Sequence, residues 1–354
     1  MSFVELNNPI QQKMRSIREY GELSPVTFGF RTWNNYEKKQ LIQGSRKCTM
    51  LLGGEPNHGK SAFCNELVIQ MIEKHRFKVA LFTTESGDVE KVFAYFCGLY
   101  IGKPYSKVRP DGKPNQYAMS DNEATEAEYF IRQHLYVFRQ DRKNTKYQTL
   151  ENIYKELKHT EDTYGFKFDS MVIDPIYDVD DFEPKAEEVL RVLNRINLEA
   201  EENNRFDIIV NHVAETAKVT DKNGNRKKLT ALADEFYGGK NNNRKAMLQI
   251  LVHRPSACNG EDGKPVVLEN QTNIKILKVK PEGIAIYGTY PIYWDWKKRR
   301  YYEMYDENGK FFKQYSNSAR FQNKIQESQI NINNHKATPN EAFATEHQDD
   351  DLQF

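Results

Sequence analysis

The stretch Gly54-Glu55-Pro56-Asn57-His58-Gly59-Lys60-Ser61 fits the spacing G-x-x-x-x-G-K-[S/T]. That spacing builds a cradle for a polyphosphate. Glycines at its two ends let the backbone close around an anion, and the N–H groups of a helix opening after the second glycine point at it. The lysine neutralises the outer phosphates, and the serine hydroxyl is a ligand for Mg²⁺. Gly54, Glu55, Pro56, Asn57, His58, Gly59, Lys60, Ser61 and Ala62 are therefore the expected nucleotide contacts, with Ser61 also on the metal. Three more polar residues close apolar runs. Asp174 ends DSMVID, where a carboxylate at the edge of a buried strand suits a contact to the nucleotide's Mg²⁺. Glu85 ends the run in LFTTES and can polarise an attacking water, although position alone also fits a solvated acid in a loop. His212 ends IIVNH and can touch a terminal phosphate; periodicity alone favours an ordinary hydrogen-bonded histidine, and Asn211 is a weaker version of the same idea.

The elements that must position these residues are legible as short apolar runs separated by helix-length stretches. The runs are 48–54, 78–84, 135–139, 169–174, 206–212, 247–253 and 274–280, and helices are expected over 60–75, 88–101 and 184–204. Strands alternating with helices imply βαβ units and a mostly parallel sheet, and wholly apolar strands imply cover on both faces. After 274 the runs IKILKVK, GIAIYGTY, IYWDW and RRYYEMY succeed one another with only turns between them, so antiparallel strands are expected at the C-terminal edge. The fold class expected is α/β. Residues 1–25 form an N-terminal segment in which 9–20 reads as a short helix, either frayed or docked on a neighbouring subunit. Residues 26–315 form the main domain, and 316–354 a polar, acidic tail with a disordered composition. The stretch 214–245 reads as a long polar loop, basic at Lys218, Lys222, Arg226, Lys227 and Lys228.

Charge narrows the partners. With 51 basic and 50 acidic side chains the formal charge is +1, so any nucleic-acid surface must be a local patch. No run approaches the ~18 apolar residues of a membrane helix, and the first residues lack the apolar centre of a signal peptide. Cys48, Cys64, Cys97 and Cys258 are too scattered for a zinc knuckle or a disulfide framework, which makes a reducing cytoplasm the expected location.

Taken in order, FGFRTWNNY (28–36), GGEPNHGKSAF, VALFTTES, MVIDPI, IIVNHVAET, YGGKNNNRKAMLQILVHRP (237–255) and ILKVKPEGIAIYG (276–288) resemble the RecA-like ATPase domain of DnaB-type replicative helicases, most of all the phage and mobile-element branch with its primase-helicases. The resemblance covers roughly residues 25–305. It implies a RecA-like P-loop core that hydrolyses ATP with Mg²⁺ between the subunits of a hexameric ring around single-stranded DNA, in the cytoplasm of a host cell if phage-encoded. It also implies roles. Glu85 matches the glutamate that activates water, Asp174 the Mg²⁺ aspartate, and His212 the sensor of the γ-phosphate. Lys278 and Lys280 fall where the family has Lys-x-Arg reaching into the neighbouring nucleotide. The finger position is lysine in this chain, so Arg254 and Arg299 stand as alternatives. The implied DNA loops are 178–187, which is acidic, and 214–245. In the second, Tyr237, Gly238, Gly239 and Lys240 would grip the strand, with Arg226, Lys227 and Lys228 as an electrostatic funnel.

Residues 341–354 carry five acids and no Lys or Arg, and close on Leu352-Gln353-Phe354. This resembles the tips of bacterial single-stranded-DNA-binding proteins and of some phage replication proteins, which implies docking to replication proteins; a merely solubilising tail fits equally. Two other functions share the same residues: a RecA-like recombinase that coats DNA as a filament, and an ATP-switched helicase loader or adaptor.

Overall fold

The computed structural model describes residues 6–21, 24–30, 32–35, 40–84, 87–138, 148–180, 182–183, 185–213, 218–220, 226–228, 236, 239–255, 270–280, 283–307 and 310–316. Ten strands make one sheet: β1 (Cys48–Gly54), β2 (Val79–Thr83), β3 (Leu135–Val137), β4 (Ser170–Asp174), β5 (Phe206–His212), β6 (Leu248–His253), β7 (Gln271–Val279), β8 (Thr289–Asp295), β9 (Arg300–Glu307) and β10 (Lys310–Tyr315). Their order is β10-β9-β8-β7-β6-β1-β5-β4-β2-β3. From β6 to β3 every pairing is parallel, and from β6 to β10 every pairing is antiparallel. The mostly parallel core with an antiparallel C-terminal edge is as the sequence implied.

The parallel strands are apolar throughout because each feeds two cores. All seven residues of β1 are buried. Met50 and Leu52 join a core with α2 (Lys60–His75), α3 (Val89–Ile101) and α4 (Asp121–Ile131). Leu51 points the other way, into a core with α5 (Leu150–Tyr164) and α6 (Ala186–Glu202). Ile208 and Val210 against Ile209 repeat that alternation on β5, the period-2 signature of a strand with both faces covered. The segment that begins FGFRTW lies under α2. Phe28, Phe30 and Trp33 are fully buried, the Gly29 N–H donates to Gln70 Oε1 at 2.9 Å, and Lys74 Nζ donates to the Phe28 carbonyl at 3.1 Å.

A charged staple fixes α2 to the antiparallel extension. Arg300, at the start of β9, donates to Glu66 and Glu73 on α2, to the Leu99 carbonyl on α3 and to the Ser316 hydroxyl. Arg300 and Glu66 are both completely buried, and an ion pair so placed holds only when its remaining donors and acceptors are also bonded.

Several expectations need correction. GIAIYGTY does not make a strand of its own: Ala285 makes an isolated bridge to Ile42, and Thr289 and Tyr290 open β8, pairing with Lys275 and Ile274 of β7. The strand expected over 135–139 is assigned only to Leu135–Val137. Helices α4 and α5 and strand β10 were not anticipated. The stretch 214–245 is not simply a loop: Lys218–Thr220 pairs antiparallel with Arg226–Lys228, and α7 (Lys240–Lys245) packs near α6. Helix α1 (Asn8–Tyr20) forms where expected, started by Asn7, whose side chain accepts from the Ile10 N–H; Met14 and Ile17 remain exposed on it.

Candidate functional site

In a parallel sheet the strands all end at one edge, and loops leaving that edge converge. Gly54 closes β1 there, next to His212 at the end of β5. Asp174 closes β4 and pairs with Thr83 at the end of β2. The loop 54–61 turns from β1 into α2 through Gly59, whose φ of 84° is left-handed, a conformation costly for a residue with a Cβ. Gly54 has a different reason to be glycine: a Cβ on it would sit 2.6 Å from the Val252 carbonyl oxygen and 3.0 Å from Lys60 Cγ. The chain thus places the first-turn N–H groups of a 16-residue helix, which have no carbonyl partners within the helix, at the mouth of a glycine-lined turn.

Within the loop, Glu55, His58 and Lys60 are buried while Pro56 and Asn57 are exposed; Gly59, Ser61 and Ala62 are part-buried. Lys60 Nζ donates to the Glu55 carbonyl at 3.1 Å. His58 Nδ1 accepts from the Arg254 N–H at 3.3 Å and its Nε2 lies 3.6 Å from Glu55 Oε2, so the loop is tied to the end of β6. Lys60 is near His212: burial first, and then the Lys60 charge, push the His212 pKa down to about 4, which keeps that ring neutral through the physiological range. His212 also packs on Tyr177, just past Asp174, with ring centroids 4.6 Å apart. Asp174 is 3% exposed and reaches toward α2, where burial first and then its charge raise the Cys64 thiol pKa. Lys60, Ser61, Asp174 and His212 are therefore gathered at one edge. The fit to a nucleoside triphosphate rests on the glycine cradle, and the fit to Mg²⁺ on hard oxygen donors from Ser61 and Asp174, a pair suited to a cation that keeps several waters. No group of three or more His, Cys, Asp or Glu able to hold a metal exists among the described residues.

Lys278 and Lys280 lie elsewhere. Lys278 pairs with Gln249 near the start of β6, and the Lys280 N–H donates to the Met247 carbonyl at 2.8 Å. Six residues of strand separate Met247 from His253 and four separate Gln249 from it, so Lys280 sits roughly 20 Å and Lys278 roughly 13 Å along the strand from the edge where the 54–61 loop lies. Lys280 is exposed; Lys278 is half-buried, with its pKa lowered by burial and then by Lys280. Arg254 sits instead beside its own loop, its Cδ 3.9 Å from where a Cβ on Gly59 would be. Arg299 stacks on Tyr95 at 5.2 Å.

Glu85, Tyr237 and Gly238 fall outside the described residues, as does the stretch from 317 onward. Thr84, immediately before Glu85, is held by its N–H to the Asp174 carbonyl at 3.3 Å and by its hydroxyl to Asp178. Asp180 accepts from the Gln148 N–H at 2.8 Å, so two acids of the 178–187 segment are engaged with neighbouring chain. For Arg226, Lys227 and Lys228 the structure gives the backbone strand alone, Gly239 has a left-handed φ of 62°, and Lys240 is exposed at the start of α7.

Sequence reasoning missed Phe236. It is buried, bridges Val213 directly after His212, and accepts at its carbonyl from the Gly239 N–H at 2.7 Å. A Cβ on Gly53 would lie 2.0 Å from its ring. One aromatic in a polar stretch has no periodicity to betray it. Tyr301 was missed likewise; its hydroxyl would lie 3.1 Å from a Cβ on Gly59.

Solved structures with this architecture exist. An ATPase domain solved as a separate unit superposes with a TM-score of 0.61 at 13% identity, over 84% of this chain and 99% of that one. The fold is RecA-like. A DnaB-like replicative helicase, solved in a study of its interactions with primase, superposes with a TM-score of 0.60 at 14% identity, over 84% of this chain and 68% of that one. No protein-family model matches the sequence, and no curated protein matches it. Identities this low carry the RecA-like fold alone. No helix among the described residues is long and apolar enough to cross a membrane.

Proposed function

We propose that this RecA-like chain is an ATP-hydrolysing motor of the DnaB replicative-helicase type, assembling as a hexameric ring and moving on single-stranded DNA. The observation that carries the reading is a division of labour across the sheet. The phosphate loop, Asp174 and His212 share one edge, while Lys278 and Lys280 stand away from it, too far to reach the phosphates of their own loop, so that a role at a nucleotide would be at that of a second copy. A site finished by a neighbour is the geometry of a ring or filament ATPase.

In this reading the loop N–H groups and Lys60 hold the β- and γ-phosphates. Ser61 and Asp174 hold Mg²⁺, which supplies charge neutralisation when bound. Glu85 orients a water in line with the γ-phosphate and takes its proton. Lys278 and Lys280 of the next subunit meet the charge that develops on the leaving oxygens. The neutral His212 reports whether the γ-phosphate is present. Its strand continues through Val213 to Phe236 and on to Gly239 and Lys240, a route from the phosphate to the segment proposed to grip DNA, with Tyr237, Gly238 and the basic hairpin at Arg226–Lys228. The likeness to a DnaB-like helicase supports this assignment.

The test is ATPase activity with and without single-stranded DNA, run beside unwinding of a forked duplex. DNA-stimulated hydrolysis with directional unwinding is expected. Strand exchange without unwinding would point to a recombinase, and slow hydrolysis indifferent to DNA to a loader. Glu85→Gln should bind ATP and fail to turn it over. Mixing Lys60→Ala with Lys280→Ala subunits should restore part of the activity that each lacks alone; no restoration would count against catalysis shared between copies.

A further inference from the structure

The antiparallel extension presents a basic and aromatic corner that the motor reading does not use. It is the turn between β8 and β9, Trp296-Lys297-Lys298-Arg299. Because β8 runs back toward the edge where the parallel strands end, this turn lies on the phosphate side of the molecule. Trp296 is 40% exposed and Tyr117 is 38% exposed, and their rings meet edge to face at 6.1 Å. Lys297 Nζ lies 5.1 Å over the Trp296 ring, Lys298 Nζ 5.6 Å over Tyr315, and Arg299 5.2 Å over Tyr95.

The corner is rigid, and its own acid is committed. One oxygen of Asp295 accepts from the Lys297 and Lys298 N–H groups at 2.9 and 3.1 Å, and the other accepts from the Tyr315 hydroxyl. Among the described residues neither Lys297 nor Arg299 is ion-paired with a carboxylate. Cations beside the exposed Trp296 and Tyr117 rings, held by a fixed turn, suit an acidic peptide that carries an aromatic side chain.

This chain contains such a peptide. Residues 341–354 hold five carboxylates, Asp349-Asp350-Asp351 among them, together with Leu352 and Phe354 and no Lys or Arg. Its point of departure is also at the corner: Tyr315 pairs with Tyr302, and the Ser316 hydroxyl accepts from Arg300, the residue after Arg299. Roughly thirty residues lie between Ser316 and Asp349, and at no more than about 3.5 Å per residue that length of chain is ample to return to the turn it leaves. A tether of that length sets an effective concentration of order ~1 mM, so even a ~0.1 mM site would be mostly filled by its own chain.

We infer that the acidic segment 341–354 docks on the Trp296–Arg299 turn of this same protein, with Asp349–Asp351 against Lys297 and Arg299 and the Phe354 ring against Trp296 and Tyr117. The docked segment is thereby withheld from other basic partners until something competes for it. The inference does not depend on the helicase reading, because it concerns a surface outside the nucleotide site.

The experiment uses the full chain and a labelled synthetic peptide of residues 341–354, followed by fluorescence anisotropy. The peptide should bind a full-length variant carrying Asp349→Asn, Asp350→Asn, Asp351→Asn and Phe354→Ala at least about tenfold more tightly than it binds the unaltered chain, whose own segment blocks the site. In that variant, adding Lys297→Glu and Arg299→Glu should abolish binding, and Trp296→Ala should weaken it. Reversing Arg226, Lys227 and Lys228 to Glu should leave it unchanged. An unchanged melting temperature shows that each variant is folded, and Lys297→Glu alone serves if the double reversal is not. Equal binding by the unaltered chain and the variant, no binding by either, or loss only on reversing Arg226–Lys228 would overturn the inference.

Discussion

Helix α2 carries two buried charge clusters, and they differ in what their charges are for. Midway along it, Arg300 is surrounded by Glu66, Glu73, Ser316 and the Leu99 carbonyl, while Glu66 also accepts from Gln70 at 2.8 Å and from the Tyr301 N–H at 3.3 Å. Full charges are matched there by opposite charges and by hydrogen bonds on nearly every side, so the cluster spends its electrostatics on holding three elements together. At the helix start, Lys60 donates to a backbone carbonyl, a neutral acceptor, and stands near a histidine kept neutral. That end lies at the mouth of a glycine-lined turn. One cluster is matched internally and stabilises; the other is the one that, in the proposed function, meets the phosphates of a ligand.

The sharpest way to break this comparison is to remove the arginine. Arg300→Met leaves two buried carboxylates without their cation and should cost about 3–5 kcal/mol, read as a shift of the urea midpoint. Replacing Arg300, Glu66 and Glu73 together with apolar residues of similar size should return most of that loss. A neutral Arg300→Met would mean the staple holds nothing. At the other end, Lys60→Ala should lower ATP hydrolysis by about 10²–10³-fold or more while the same urea midpoint barely moves. A large stability loss there would erase the distinction between the two clusters.

A smaller effect sharpens the proposed link between the Lys60–His212 edge and the segment at 237–240. Gly53→Ala drives a methyl into the Phe236 ring and should cost about 1–3 kcal/mol of stability. Of the activities, stimulation of hydrolysis by single-stranded DNA should suffer more than basal hydrolysis. The smallest effect concerns pH. His212 titrates at about 4 in the folded chain against 6.5 when unfolded, so the unfolded state binds its proton first. Stability present above pH 6.5 should fall as pH drops toward 4. His212→Gln should make the urea midpoint less sensitive across that window, and an unchanged acid sensitivity would argue against the half-buried, neutral ring.

The legible parts of the fold were those whose signal is local. The run CTMLLGG, the loop and α2 are contiguous, and α2 spans the expected 60–75 because its apolar residues and the opening glycine lie within one stretch. The illegible parts depended on partners distant in sequence. GIAIYGTY has a strand's composition, yet it is divided between an isolated bridge from Ala285 to Ile42, over two hundred residues away, and the start of β8 at Thr289 and Tyr290. The basic run in 218–228 looked like a loop because two three-residue strands are too short to leave a period. Nothing in KKRRYY distinguishes Arg300 from its neighbours or says that Glu66 and Glu73 lie beneath it.

By itself, then, the sequence determined the glycine-bounded turn, the alternation of strand and helix, and the aspartate and histidine that close two of the strands. These follow from short-range sterics and from hydrophobic periods of two and of nearly four residues. Tertiary structure alone decided at which edge each residue falls. It put Lys60, Asp174 and His212 together, set Lys278 and Lys280 across the sheet from them, and drew Phe236 against Gly53. The reason is that strand order and direction are fixed by how two cores fill on either side of the sheet, a sum over contacts between residues tens to hundreds of positions apart.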